Sequence, residues 1–172
     1  MKYITINSKL EKYIKEALDF VSIFIMQGSK ERKHSLSKDA VTFLQSTVKN
    51  KTYRLYRGMG LIKRRTKNPR RIKILNNLQI GDPVPNFILK SLKPYTKKKS
   101  IARFYIEGTL SLMIQIEAKP KQILCDLENL KAIITTKQDI LDENDFDYFK
   151  TDKEVIVLNP IKGKVIYKKG SL

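Results

Sequence analysis

TYRLYRG, residues 52–58, is where the texture of this chain changes. Thr52, Tyr53, Leu55 and Tyr56 suit a pleated, half-buried surface, and the run Thr52 to Arg57 reads as a strand that breaks at Gly58. Upstream the pattern is helical. Ser8 with Glu11 three residues on forms a capping box, and Leu10, Tyr13, Ile14, Ala17, Leu18, Val21 and Ile25 recur at three- and four-residue spacing until Gly28. Ser37 caps a second predicted helix whose Ala40, Val41, Leu44 and Val48 share a face, ending in the Lys49, Asn50, Lys51 turn. Downstream, Leu110, Leu112, Ile114 and Ile116 alternate with Ser111, Met113, Gln115 and Glu117, which predicts a strand. Val155 to Leu158 and Lys164 to Tyr167 add two short strands, separated by Asn159, Pro160 and Gly163. Helices first and strands afterwards predict an α+β domain and argue against an alternating parallel sheet.

The chain has 172 residues and is 41% apolar, enough for one compact core without metals or disulfides. A single domain is expected, with residues 1–50 as a helical front and 51–172 as the β core. Cys125 is the only cysteine and is expected to be a buried bystander in a reducing compartment. The most apolar run, Phe20 to Met26, is far short of the roughly 20 residues that span a bilayer, and the N-terminus lacks the pattern of a secretory signal. A cytoplasmic location without membrane contact is therefore expected. Thirty-five Lys and Arg against 17 Asp and Glu leave a net charge of +18, which favours polyanions or acidic surfaces as partners. The charge is uneven: the stretch 139–154 carries seven acids and two lysines, an acidic patch on a basic body. The segment KRRTKNPRRIK, Lys63 to Lys73, is seven parts basic in 11 and reads as a loop insertion around Pro69.

The residue inventory removes several chemistries. His34 is the only histidine, so an ordinary zinc site or a triad resting on a histidine base has almost nothing to work with. Gly58, Met59, Gly60 is too short for a dinucleotide fingerprint, and no phosphate loop occurs. A carboxylate pair remains. Asp152 and Glu154 lie two apart where a strand begins, so both address one sheet face about 7 Å apart. Such a pair suits a reaction through a sugar cation, one carboxylate stabilising charge and the other taking a proton. On spacing alone, a solvated acidic loop end is the better reading. Arg57, closing the first strand before Gly58, can offer its forked guanidinium to a phosphate, although an arginine at a strand end is more often plain surface. Gly58 lets a ligand approach the backbone closely.

Taken in order, these segments resemble the ADP-ribosyltransferases of the arginine, serine, glutamate class, particularly the small phage-encoded enzymes that modify host proteins. YRLYRGM, Tyr53 to Met59, looks like the family's strand with an aromatic, the NAD-holding arginine and a glycine, with Arg57 on that arginine. IGDPVPNFILKSLKPYTKKKSIARFY, Ile80 to Tyr105, looks like the approach to the Ser-Thr-Ser strand and the helix after it; Ala102 and Phe104 fit. Thr96 then falls on the last hydroxyl of that motif, Tyr95 on the middle and Pro94 on the first serine, a departure that leaves Ser91 or Thr96 to take over. FKTDKEVIVLNP, Phe149 to Pro160, resembles the loop and strand carrying Glu-x-Glu, with Glu154 on the catalytic glutamate and Asp152 where arginine-modifying members have their first glutamate.

The resemblance implies a split mixed β-sandwich around an NAD cleft with helices packed at the N-terminal side. It implies that Arg57 pairs the phosphates of NAD, that Gly58, Thr96, Ser91 and Tyr148 contribute to the NAD site, and that Tyr56, Phe104 or Tyr148 stacks on nicotinamide. Core packing is the expectation for Phe104, and an exposed role for Tyr148. Glu154 would stabilise the ribosyl cation and Asp152 would deprotonate the acceptor. The implied function is mono-ADP-ribosylation of a host protein on arginine, by a monomer in the host cytoplasm, with transcription or translation machinery as a target. Residues 63–73 and 97–99 (KKK) are expected to attract nucleic acid or an acidic partner. Two other readings fit the sequence: a non-enzymatic basic nucleic-acid-binding domain, and an inactive member of the same fold that acts by binding.

Overall fold

A computed structural model describes residues 8–27, 36–62, 65, 68–89, 93–135, 154–158 and 162–172. Helix α1 is Ser8–Gln27 and α2 is Lys38–Ser46; β1 (Tyr53–Leu61), α3 (Pro69–Asn77), the short α4 (Asn86–Leu89), β2 (Lys93–Thr96) and α5 (Lys99–Arg103) follow. The chain continues through β3 (Leu110–Ala118), β4 (Ile123–Asp126), α6 (Leu127–Thr135), β5 (Glu154–Val157) and β6 (Gly163–Gly170). The strands form a six-stranded sheet in the order β4-β5-β2-β1-β3-β6, and each pairing is antiparallel. The α+β expectation with helices leading holds; the parallel pairings that a mixed arrangement requires do not occur among the described strands.

The sheet is divided into two halves. β1 pairs along its whole length with β3, from Tyr53↔Ala118 to Leu61↔Leu110, and β2 pairs along its length with β5. Between β1 and β2 the register holds one pair, Tyr56↔Thr96. Two three-stranded units, β4-β5-β2 and β1-β3-β6, are thus hinged at Tyr56 and Thr96. This explains why Pro94 can occupy an inner strand: proline has no N–H to give, and β1 claims β2 only at Thr96.

Alternation along the strands feeds two cores. Tyr53, Leu55, Tyr95, Leu112, Ile114, Val155 and Val157 join α3 and α4 residues Leu75, Ile88 and Leu89 in the first. Ile156, between the two valines, turns to the second, where Leu124 and Cys125 of β4 meet Ile14, Ala17, Leu18 and Val21 of α1 and Ala40 and Leu44 of α2. Each fully buried aliphatic side chain contributes about 1.5–3 kcal/mol, so the amphipathic helices predicted from their periodicity are held by packing on β4 and β5 rather than by propensity. Helix α2 starts as predicted, with the Ser37 hydroxyl accepting from the Ala40 N–H at 3.2 Å. The two helices are tied at the surface, where Glu16 accepts from both the Ser37 N–H and hydroxyl at 2.6 Å.

Two expectations are corrected. The first strand does not break at Gly58 but runs to Leu61. A Cβ on Gly58 would lie 1.8 Å from the Ala102 carbonyl oxygen, and one on Gly60 1.6 Å from that of Glu107. These glycines therefore admit the α5 segment against β1, with no need of a turn. The basic segment 63–73 is not simply a loop: its second half opens α3, with Asn68 accepting from the Arg71 N–H at 3.2 Å and Pro69 in the first turn. On β3, Ser111 and Met113 are buried along with the residues they alternate with; Ser111 donates its hydroxyl to the Ile106 carbonyl of the loop that covers it. Cys125 is buried as expected, and burial pushes its thiol up to about 12, so it is inert.

A buried polar knot joins the two cores. Asp126, 1% exposed, accepts from Lys97 Nζ at 2.6 Å, the Tyr53 hydroxyl at 3.1 Å and Asn129 Nδ2 at 3.1 Å. The Tyr53 hydroxyl in turn accepts from the Lys49 N–H at 2.9 Å, and the Asp126 N–H donates to Thr47 at 2.9 Å. Composition and periodicity do not single out these residues.

Candidate functional site

The three strands named by the resemblance are neighbours, in the order β5-β2-β1. Glu154 opens β5 and faces Thr96, the last residue of β2, and Thr96 faces Tyr56 of β1. Two strand spacings, about 10 Å, therefore span the row from Glu154 to Tyr56, although nearly a hundred residues separate them in the chain. Arg57 is the next residue along β1.

A hollow of about 100 Å³ is lined by Tyr56, Arg57, Gly58, Pro94, Tyr95, Thr96, Ala102, Tyr105 and Glu154. It shares Arg57, Gly58 and Tyr105 with a larger cleft of about 530 Å³, whose other walls include Met59, Leu61, Arg65, Asn68, Arg71, Phe87 and Ile88. The larger volume is within the range of small-molecule sites. Its polar groups are mainly cationic, and Arg71 lies over the Phe87 ring at 5.2 Å.

Arg57 occupies a place in the inward row Tyr53, Leu55, Arg57, where a third apolar residue would otherwise continue the core. Its guanidinium carbon is 5.9 Å from the centre of the Tyr95 ring. Burial pulls its pKa below the ordinary arginine value, opposed by the neighbouring Tyr95 and Glu154; the guanidinium remains a cation at neutral pH. Burial likewise pushes the Tyr95 hydroxyl up to about 12, keeping it a neutral donor. Arg57 Nη1 and the Tyr95 hydroxyl are buried and lack a hydrogen-bond partner among the described residues. An unmatched buried donor costs about 1–3 kcal/mol, more when charged. Both residues line the hollow, and a cationic fork beside a phenol is chemistry that suits an anion.

The candidate residues are placed as follows. Arg57, Gly58, Thr96 and Glu154 meet at the hollow. Thr96 also accepts from the Lys98 N–H at 3.1 Å, which fixes the turn into α5. At Gly58 the space of the missing side chain is taken by Ala102 rather than left for a ligand. Asp152, Ser91 and Tyr148 lie outside the described residues, as does most of the acidic stretch 139–154. Phe104 is not in the core: it is 79% exposed. Of the basic run 97–99, Lys97 is occupied internally by Asp126 and by Glu128 at 3.0 Å, so it is not a surface cation for a partner. Tyr105, Arg65 and Arg71 line the cleft but were not singled out from the sequence. For Arg71 the available signal was Asn68-Pro69, an N-cap followed by a first-turn proline.

Searches against family models, curated proteins and solved structures find no match to this chain. No helix among the described residues is long and apolar enough to cross a membrane, and no group of potential metal ligands occurs among them.

Proposed function

We propose that this protein is an NAD-dependent mono-ADP-ribosyltransferase that modifies a protein acceptor, with arginine as the favoured side chain. The observation that carries the reading is the convergence of Arg57, Thr96 and Glu154 on one hollow from three adjacent strands, in the order the resemblance requires. The division of the sheet into two halves hinged at Tyr56 and Thr96 supports a split-sandwich architecture of the ADP-ribosyltransferase type.

The residues fit NAD on their own chemistry. Arg57 lines the hollow and, with Arg65 and Arg71, the adjoining cleft, so a pyrophosphate would meet several cations. Tyr56 and Tyr105 supply aromatic faces at the hollow for a planar ring. When bound, NAD supplies an ADP-ribosyl group whose glycosidic carbon gains positive charge as nicotinamide leaves. The Glu154 carboxylate would hold the ribose and stabilise that charge; Thr96 would keep the strand end in register with it. Asp152, two residues before Glu154, would accept the proton of the attacking acceptor. Thr96, on the same face of β2 as Pro94, would carry the hydroxyl of the motif in place of the serine that Pro94 displaces.

Incubation of the purified protein with labelled NAD and a bacterial lysate tests the reading. Label appearing on protein and resisting nuclease supports it. Absence of both transfer and NAD cleavage overturns it and favours the basic binding domain, for which the +18 charge is the specific support.

A further inference from the structure

The turn that follows α5 presents two aromatic side chains to solvent: Phe104 is 79% and Tyr105 52% exposed. Exposed large apolar residues are common singly, but here they are adjacent and firmly seated. The segment carrying them is clamped onto β1 at both ends, by Ala102 against Gly58 and Glu107 against Gly60, and Ser111 holds the Ile106 carbonyl from β3. The Phe104 N–H donates to the Ile101 carbonyl and the Tyr105 N–H to that of Ala102, so the helix end itself is closed. Two glycines in the middle of a strand cost backbone entropy, and what they secure is an aromatic knuckle held rigidly out of the core.

Cations surround it. Lys99 and Arg103 belong to the same short helix and are exposed. Arg65 and Arg71 line the same cleft as Tyr105. Glu107 is the one exposed carboxylate within the knuckle. Rigid aromatic faces set among cations are the elements by which proteins hold unpaired nucleotides, with bases stacking on the rings and phosphates following the charge. An acidic protein surface would use the cations but leaves both exposed rings without a function.

We propose that the Phe104 and Tyr105 knuckle, with Lys99, Arg103, Arg65 and Arg71, is a docking surface for single-stranded nucleic acid at the mouth of the cleft. The binding does not depend on the ADP-ribosyltransferase reading. The test is fluorescence anisotropy of the full chain with a short labelled oligo-uridylate, oligo-thymidylate of equal length, the corresponding duplex, and poly-glutamate as competitor, all without NAD. Both single strands should bind more tightly than the duplex, with preference for one showing whether RNA or DNA is the natural form. Phe104→Ala should weaken binding about tenfold while leaving the circular dichroism spectrum unchanged. With four phosphate contacts, the logarithm of affinity should fall against the logarithm of salt with a slope of about −3, and Arg103→Gln should make it shallower by about 0.7. Unchanged affinity in Phe104→Ala, equal or tighter binding of duplex, or displacement by poly-glutamate as effective as by oligo-uridylate overturns the proposal. The last result would assign the surface to an acidic protein.

Discussion

Gly58→Ala provides a demanding check because ordinary expectation points the other way. In a strand, replacing glycine with alanine removes unfolded-state freedom and usually stabilises by about 0.5–1 kcal/mol. At Gly58 the added methyl would sit 1.8 Å from the Ala102 carbonyl oxygen, and 3.0 Å from both the Ala102 carbonyl carbon and the Ile106 side chain. Unstrained contacts of this kind are near 3.5 Å, so the end of α5 must retreat from β1 by roughly 1.5 Å or more. The nearest obstacle is backbone, which cannot rotate aside. Ala102 is fully buried, so the retreat opens a gap in the packing between the helix end and the sheet. Overpacking of this kind costs about 1–3 kcal/mol, and the upper half of that range is expected here. Urea denaturation of the two proteins measures it: the midpoint should fall with no change in the slope. The hollow shares Gly58, Ala102 and Tyr105, so binding of ADP-ribose should weaken in the same variant. A Gly58→Ala protein as stable as the parent, or more so, would refute the argument that this glycine exists for helix packing.

Other outcomes follow from the polar contacts. Asp126→Ala should destabilise by roughly 2–3 kcal/mol, since it removes the buried acceptor shared by Lys97, Tyr53 and Asn129 and leaves Lys97 to Glu128; thermal unfolding reads it, and a loss below about 1 kcal/mol would contradict the role given to the knot. Glu16 titrates below the ordinary glutamate value because the Ser37 hydroxyl and N–H both donate to its carboxylate. Its folded-state pKa is depressed, so the link between α1 and α2 contributes above the ordinary carboxylate range and is lost as pH falls through the depressed value. Carboxyl NMR should show Ser37→Ala moving the Glu16 midpoint upward, and an unmoved midpoint would remove the link.

What the sequence conveys depends on how local each cause is. The amphipathic periods of α1 and α2 were legible because their partner is a simple apolar surface, and Ile14, Ala17, Leu18, Val21, Ala40 and Leu44 are buried as their spacing predicts. The strands at Leu110 and Val155 were legible from apolar runs rich in leucine, isoleucine and valine, and both faces of these strands are largely buried. The extension of β1 beyond Gly58 was not, because the reason for glycine there is the Ala102 carbonyl more than 40 residues away. Helix α3 was hidden by a basic segment whose charge outweighed its Asn68-Pro69 start signal. At the candidate site, Arg57, Thr96 and Glu154 were reached through resemblance and order along the chain, and the strand register places them around one hollow. Tyr95 could not be found as a donor beside Arg57, since its contribution arises only from pairing across the sheet. Phe104, expected in the core, is exposed because its segment is seated on Gly58 and Gly60, more than 40 residues earlier in the chain.

In the proposed transferase, Glu154 would stabilise charge on a ribose at the meeting point of β1, β2 and β5. Glu154→Gln keeps the size and shape of the side chain and removes the charge, so its effect on turnover of labelled NAD isolates that role. Transfer should fall at least about a hundredfold, with NAD affinity and the urea midpoint close to those of the parent. Equal turnover in the two proteins would contradict it.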